Sequence, residues 1–414
     1  MPYRIFVCVV FCVPAIAFAQ PASKSGEKPS TPSAIRGESG LFVRAKPRSE
    51  LSPEARKSQL AELRKKYEKA PSEWPAPTID SGIKWRELGL LPKVEHPSTN
   101  PYSKEKEELG RKLFFDPRLS ESRQMACASC HDPDLAWADG RAMAFGNGRK
   151  ELKRNTLSLL NAAHQKTFFW DGRVDSLEAQ AKAVLTNPDE MRSSEAHLAK
   201  ELGAIPMYVA EFEKCFGSAG ISLERTAAAI ACFERSIVGG LSRFDSFLKG
   251  NKRALSDEAI AGLHLFRTDA RCLNCHHGPN FSDGEFHNLG LSYYGRKIPD
   301  SGRYSVTNNE ADLGRFRTVS LRNVLETRPY THNGQFELEN LLTLYNNGIP
   351  TLMSQAESKE PRPARGEKSP HIRQLGLNDV DLEDLKAFLQ SLSEPRTRVR
   401  PPKLPGMESA AGDH

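Results

Sequence analysis

The chain has 414 residues, 38% of them hydrophobic and 27% charged, with a formal net charge of +6. That length allows two domains with separate cores, and a mean hydropathy of −0.53 argues against a membrane-embedded protein. Basic residues are spread along the chain, so charge gives no nucleic-acid-binding patch and at most a weak preference for acidic partners.

The first residues read as a signal peptide over 1–19. Arg4 supplies the positive start, Ile5 to Phe18 the apolar stretch, and Ala17-Phe18-Ala19 the small residues before a cut near Ala19. The apolar run falls short of the roughly 20 residues that a spanning helix needs, so no membrane anchor is expected after cleavage. Cys12 follows Phe11 rather than a small residue, which argues against a lipoprotein site. Export to the periplasm is the resulting expectation. Cys8 and Cys12 leave with that segment, and six cysteines remain. Cys215 and Cys232 are either a disulfide in an oxidising compartment or two small buried thiols.

Residues 20–84 read as a linker with one short helix. Gln20 to Arg48 is rich in Pro, Ser, Gly, Lys and Glu and has little to bury. Ser52-Pro53 then suits a helix start, with Leu60, Leu63 and Tyr67 on one face. Ser103 caps a further helix whose first turn carries Glu105, Glu107 and Glu108, and Leu109, Leu113 and Phe114 form its apolar side. Ser222 precedes Leu223, Ala227, Ile230 and Ile237 at helical spacing, and Ser256 opens a helix running into Leu263 and Phe266. Asn378 opens the last, with Val380, Leu385, Phe388 and Leu389 apolar. Strict alternation is rare, so little sheet is expected. These elements divide into a first domain over 85–245, a second over 250–395 and a disordered tail over 396–414. Leu113-Phe114-Phe115 and Leu265-Phe266 precede similar motifs, a crude internal repeat.

Those motifs are Cys127-Ala-Ser-Cys130-His131 and Cys272-Leu-Asn-Cys275-His276. Two thiols three positions apart reach both vinyl groups of a haem while the adjacent histidine reaches the iron. Composition gives about 0.005 chance matches in a chain this long, so two matches point to two covalent c-type haems. Zinc clips and redox dithiols fit poorly, because the pairs stand far apart and each is followed by histidine. His277 reads as a surface or propionate-side residue, and His96, His164, His197 and His371 as ordinary histidines.

The segments around the motifs make the pattern specific. Leu109-Gly110-Arg111-Lys112-Leu113-Phe114-Phe115-Asp116-Pro117-Arg118-Leu119-Ser120, Arg154-Asn155-Thr156, Phe169-Trp170-Asp171-Gly172-Arg173, Asn187-Pro188-Asp189-Glu190-Met191 and Pro329-Tyr330-Thr331-His332-Asn333-Gly334 together resemble the bacterial di-haem cytochrome c peroxidase and MauG family. The resemblance runs from about residue 86 to 392 in order and spacing. It implies a mainly α-helical fold of two cytochrome-c-like haem domains facing each other, and a peroxidase-type oxidoreductase. His131 and His276 would be proximal ligands of iron. Glu190 would serve as the acid/base for hydrogen peroxide, which needs one oxygen deprotonated and the other protonated. Trp170 would stand between the haems, and Gln180 would lie in the peroxide pocket. Asn155 would share a calcium ion with the backbone oxygens of Thr327 and Pro329.

Two positions depart from the peroxidase pattern. Asn147, within Ala144-Phe145-Gly146-Asn147-Gly148, stands where those peroxidases place a histidine that closes the first iron. Tyr345 stands where they place a methionine on the second, a place that MauG also gives to tyrosine; Met353 is the alternative ligand. A phenolate is a hard anionic donor that lowers an iron's potential, whereas a thioether raises it. Both changes resemble MauG, whereas Val184, where the family commonly has proline, does not follow the pattern. The expectation is a MauG-like oxidase that uses hydrogen peroxide at an open first haem and oxidises a partner protein. The alternatives are a peroxidase fed by a small cytochrome c or cupredoxin, and a plain di-haem electron carrier.

Overall fold

Serines open most of the helices. Ser52, Ser103, Ser176, Ser194, Ser222, Ser242 and Ser256 each accept a hydrogen bond from the amide three residues on, which satisfies a donor that the helix start leaves unpaired. The computed structural model describes residues 45–407 apart from 219, 293–299, 351–365 and 396–397. The signal-peptide segment and Met353 lie outside the described residues.

The described elements are mainly helical. They run α1 (Pro53–Tyr67), α2 (Lys104–Phe115), α3 (Leu177–Thr186), α4 (Glu195–Gly203), α5 (Pro206–Phe216), α6 (Leu223–Glu234), α7 (Arg243–Leu248), α8 (Asp257–Arg267), α9 (Tyr304–Thr307), α10 (Leu338–Asn346) and α11 (Asp379–Ser391). One two-residue antiparallel pair, β1 (Phe286–His287) with β2 (Phe316–Arg317), is the only sheet among the described residues. No described helix is long and apolar enough to cross a membrane.

Two cores form, each around a helix crossing. In the first, α2 packs on α6, and a Cβ at Gly110 would collide with the Ala229 carbonyl. In the second, α8 packs on α11, and a Cβ at Gly262 would collide with the Asp384 carbonyl. Only glycine lets these backbones approach so closely. Beside each crossing two phenylalanines meet edge-on, Phe114 with Phe233 at 5.3 Å and Phe266 with Phe388 at 5.2 Å.

The stretch before residue 85, read from composition as linker, contributes to the second core. Leu63, Tyr67 and Trp74 are buried with the α8 residues, and α1 lies along α8. Arg267, 1% exposed, has its guanidinium over both the Tyr67 and Trp74 rings and pairs with Glu87. Arg56 bonds Asp384 at 2.5 Å, and Arg64 pairs with Asp257. The apolar face was legible, but its partner lies about 200 residues on, beyond any local pattern.

The C-terminal stretch also departs from expectation. Val399 packs against the first core, and Arg111 donates to the Arg400 carbonyl at 2.6 Å. A proline-rich extended chain needs no hydrogen-bonded element of its own to lie along a surface. Cys215 and Cys232 are both free thiols, which decides between the two readings of that pair.

Candidate haem sites

Each Cys-x-x-Cys-His motif forms a short 3₁₀ turn, over Cys127–Ser129 and Cys272–Asn274. The backbone amide of His131 donates to the Cys127 carbonyl at 3.0 Å, and that of His276 to the Cys272 carbonyl at 2.8 Å. Each imidazole is then fixed by its Nδ1: His131 bonds the Trp137 carbonyl at 3.0 Å, His276 the Phe281 carbonyl at 3.0 Å. With Nδ1 donating, Nε2 carries the lone pair and faces away, as an iron ligand requires. Burial holds both imidazoles below their ordinary pKa, in the neutral form that binds metal.

Trp137 and Phe281 were not foreseen as functional. Both adopt left-handed backbone, with φ of 61° and 51°, a conformation that bulky residues rarely take. It turns the carbonyl to the histidine while the ring stays in the core: Trp137 lies 5.8 Å from Phe114, and Phe281 lies 6.1 Å from Phe266. The sequence signal was an aromatic five or six residues after each motif histidine.

All four motif cysteines are free thiols, as attachment to haem vinyl groups requires. Burial raises them, Cys130 and Cys272 to about 12. Asp283 and His287 bond at 2.8 Å and lie within 4.8 Å of Cys275, a grouping with metal-ligand character. Because Cys275 belongs to an attachment motif, this grouping is part of the second haem site. His277, read as a surface or propionate-side residue, is buried rather than on the surface, where the turn after the motif folds back through the bond from the Ser282 amide to the His277 carbonyl.

Above the first motif stands the turn that ends α3. The Glu190 amide donates to the Asn187 carbonyl at 3.1 Å, and Met191 enters the first core. Burial raises the Glu190 carboxyl, Arg173 and Asn187 oppose it, and its Oε2 is buried without a hydrogen-bond partner. Its charge is felt at Cys130, so the carboxyl lies near the attachment site. Gln180 and Val184 are half-buried on α3, one turn apart. The 144–151 loop closes over this turn. The Asn147 amide donates to the Asp189 carbonyl at 2.9 Å, Lys150 pairs with Asp189 at 2.5 Å, and Cβ at Gly146 would strike that same carbonyl.

Above the second motif stands Tyr345 on α10. It packs with Leu291, Phe336 and Ile349, and burial together with Cys275 and Cys272 raises its phenol well above the usual range. The phenol is therefore near the second attachment site, over three hundred residues from the chain start and about seventy from the motif. Sequence counting reached it only through the Pro-Tyr-Thr-His segment.

Between the cores lies Trp170, 9% exposed. Its indole N–H donates to the Asn155 carbonyl at 2.9 Å, its own carbonyl accepts from the Arg317 amide at 2.8 Å, and its ring meets His332 edge-on at 6.2 Å. The Asn155 amide donates to His332 at 2.8 Å, and its side chain donates to the Arg141 carbonyl at 2.7 Å. That bond uses Nδ2 and leaves Oδ1 as the oxygen available to a cation. Arg154 bonds Asp171 at 2.6 Å and Asp300 at 2.7 Å, which ties the same two parts together. His197 bonds the Arg118 carbonyl and His371 bonds Asp80.

Residues 104–253 match the family model described as di-haem cytochrome c peroxidase. The methylamine utilization protein MauG of Methylorubrum extorquens is 37% identical over 318 residues, covering 75% of this chain and 85% of its own. A cytochrome-c peroxidase of Denitromonas iodatirespirans is 35% identical over 354 residues, covering 78% and 91%. Among solved structures, a MauG-like protein associated with microbial copper homeostasis superposes with a TM-score of 0.65 at 29% identity, over 77% of this chain and 96% of its own.

Proposed function

Since this chain belongs to the di-haem cytochrome c peroxidase and MauG family, and is thereby a peroxidase-type oxidoreductase with two c-type haems, we propose that it works in the MauG manner. Hydrogen peroxide is its oxidant, and a partner protein in the periplasm is the electron source. The observation that carries this reading is the 144–151 loop. It holds no imidazole and no thioether, and it is bonded down onto the Glu190 turn through Asn147, Lys150 and Asp189. An amide is a poor iron ligand, so nothing on this loop closes the face that Glu190 overlooks.

Cys127, Cys130 and His131 would hold one haem and Cys272, Cys275 and His276 the other, and these groups would supply the redox chemistry with peroxide. The polypeptide supplies the rest. Glu190 Oε2 takes the proton from the incoming peroxide and returns it to the departing oxygen. Its burial without a partner leaves that oxygen free for the task. Gln180, on the preceding helix, orients peroxide or water by hydrogen bonding. Trp170 offers an easily oxidised indole between the two units, and Tyr345 would offer its phenol oxygen to the iron of the second haem. A calcium ion on Asn155 Oδ1 and the carbonyls of Thr327 and Pro329 would fix the two units relative to each other.

Peroxide added to the fully ferric protein should change its optical spectrum at once. If nothing happens until one haem is reduced, the chain is a peroxidase requiring reductive activation and this reading fails. Two low-spin signals without a high-spin one in electron paramagnetic resonance would instead mark an electron carrier. Tyr345→Phe should alter the low-spin spectrum of the second haem and leave the first unchanged; an unaltered spectrum removes Tyr345 as a ligand.

A further inference from the structure

Four arginines are buried among the described residues: Arg235, Arg267, Arg317 and Arg322, at 7%, 1%, 5% and 4% exposure. Three of them meet an acid. Arg235 bonds Glu178 at 2.6 Å, Arg267 pairs with Glu87, and Arg322 bonds Asp245 at 2.9 Å. Arg317 has no carboxylate partner among the described residues. Its Nε donates to the Phe169 carbonyl at 3.1 Å, a single neutral bond for a group with five donors. Burial alone pushes its pKa down, to about 10, so it stays charged at neutral pH. A buried charge without a counter-charge costs several kcal/mol, far more than one carbonyl returns.

Its position narrows what would offset that cost. Arg317 lies on β2 opposite Phe286, and its own amide donates to the Trp170 carbonyl at 2.8 Å. The next residue, Thr318, donates its amide to Glu285 and accepts from Ser282 Oγ. The Arg317 backbone therefore stands between the tryptophan that joins the two cores and the segment following the second motif, and its guanidinium reaches the Phe169 carbonyl beside that tryptophan. A c-type haem is attached along its vinyl edge and carries two propionates on the opposite edge. A propionate is a carboxylate, the planar anion that a guanidinium grips with two parallel hydrogen bonds.

We infer that Arg317 is the buried counter-ion of a haem propionate at the junction of the two units, and that its charge raises that haem's reduction potential. The inference rests on the two-haem family reading and not on the MauG-like one, and its test reads no peroxide chemistry. A fixed cation favours the ferrous state, which carries one positive charge less than the ferric.

Arg317→Gln, prepared with both haems attached and counted by pyridine haemochrome, is titrated by spectroelectrochemistry beside the wild type. One haem should become harder to reduce, its reduction equilibrium falling on the order of tenfold, as for unit charges roughly 10 Å apart at an effective dielectric of about 20. The other haem should move much less. Two unchanged midpoints overturn the inference. Should the glutamine variant fail to retain its haems, Arg317→Lys keeps the charge but loses the forked geometry. Resonance Raman of that variant should then show a shifted propionate-bending band, and an unmoved band overturns the inference equally.

Discussion

Helix α2 meets α6 through Gly110, and α8 meets α11 through Gly262, with a phenylalanine pair beside each crossing. Each proximal histidine is bonded to the carbonyl of an aromatic in left-handed backbone, Trp137 or Phe281. Around the attachment motifs the two units are thus built alike. Above them they part. The first presents a carboxyl with an unpartnered oxygen, from a turn held shut by a loop without histidine. The second presents a half-buried tyrosine packed against an apolar cluster. The lesson is that what attaches and orients the cofactor is built alike in both units, while the opposite faces differ. A carboxyl with an unpartnered oxygen can exchange a proton, whereas a phenol packed among leucines and isoleucines is shielded from water.

The largest test of that contrast is Glu190→Gln. Removing a general acid/base costs about 100-fold or more in rate, so the peroxide reaction of the ferric protein should slow by at least that factor. Stopped-flow absorbance checks it, with the second-haem spectrum as the control that should not move. Burial raises the Glu190 carboxyl. The wild-type rate should therefore fall as pH drops through that raised value, because only the ionised form takes a proton. The glutamine variant should lose this dependence. An unchanged rate would leave the two units without a functional difference at this position.

The shared half was only partly legible in sequence. The capped starts of α2, α6, α8 and α11 could be read from Ser103, Ser222, Ser256 and Asn378, because capping is local. Which helices cross could not, because α8 and α11 meet across more than a hundred residues. The signal was nonetheless present: Gly110 and Gly262 each precede a Leu-Phe pair by three residues, so that Gly110-x-x-Leu113-Phe114 repeats as Gly262-x-x-Leu265-Phe266. At the site, the attachment motifs were compact enough to be seen from the residues alone, whereas Glu190, in the five-residue segment Asn187–Met191, was reached only through the resemblance. Tyr345 was reached only through the resemblance, and Arg317 not at all, since an arginine lacking an acid is visible only once its surroundings are folded.

That repeat sets the second test, which asks whether the two crossings matter equally. Alanine at Gly262 drives a Cβ into the Asp384 carbonyl, and alanine at Gly110 drives one into that of Ala229. Overpacking of this kind costs up to about 3 kcal/mol. Alanine's better helix propensity returns about 1 kcal/mol, so each variant should lose about 2 kcal/mol in chemical denaturation. The loss should be local, with Gly262→Ala disturbing the proximal ligation of the second haem and Gly110→Ala that of the first. Disturbance of both haems by either variant would mean that the cores are not independent.

The smallest test concerns what joins the units. Burial would raise the Asp300 carboxyl, but the hydrogen bond and charge of Arg154 override it and hold it at about 2, against an ordinary value of 3.8. A depressed folded value contributes stability that is complete above the ordinary value and is lost as pH falls toward the depressed one. The shift sets a ceiling of about 2 kcal/mol, and partial solvation with the neutral bonds that an amide keeps reduces the net loss in Asp300→Asn to about 1 kcal/mol. Urea unfolding should therefore separate wild type from Asp300→Asn near neutral pH and bring them together between about pH 4 and pH 2. A gap that persists unchanged into acid would assign the loss to packing rather than to the ion pair. The junction around Trp170 would then depend on shape rather than on the charge of Arg154.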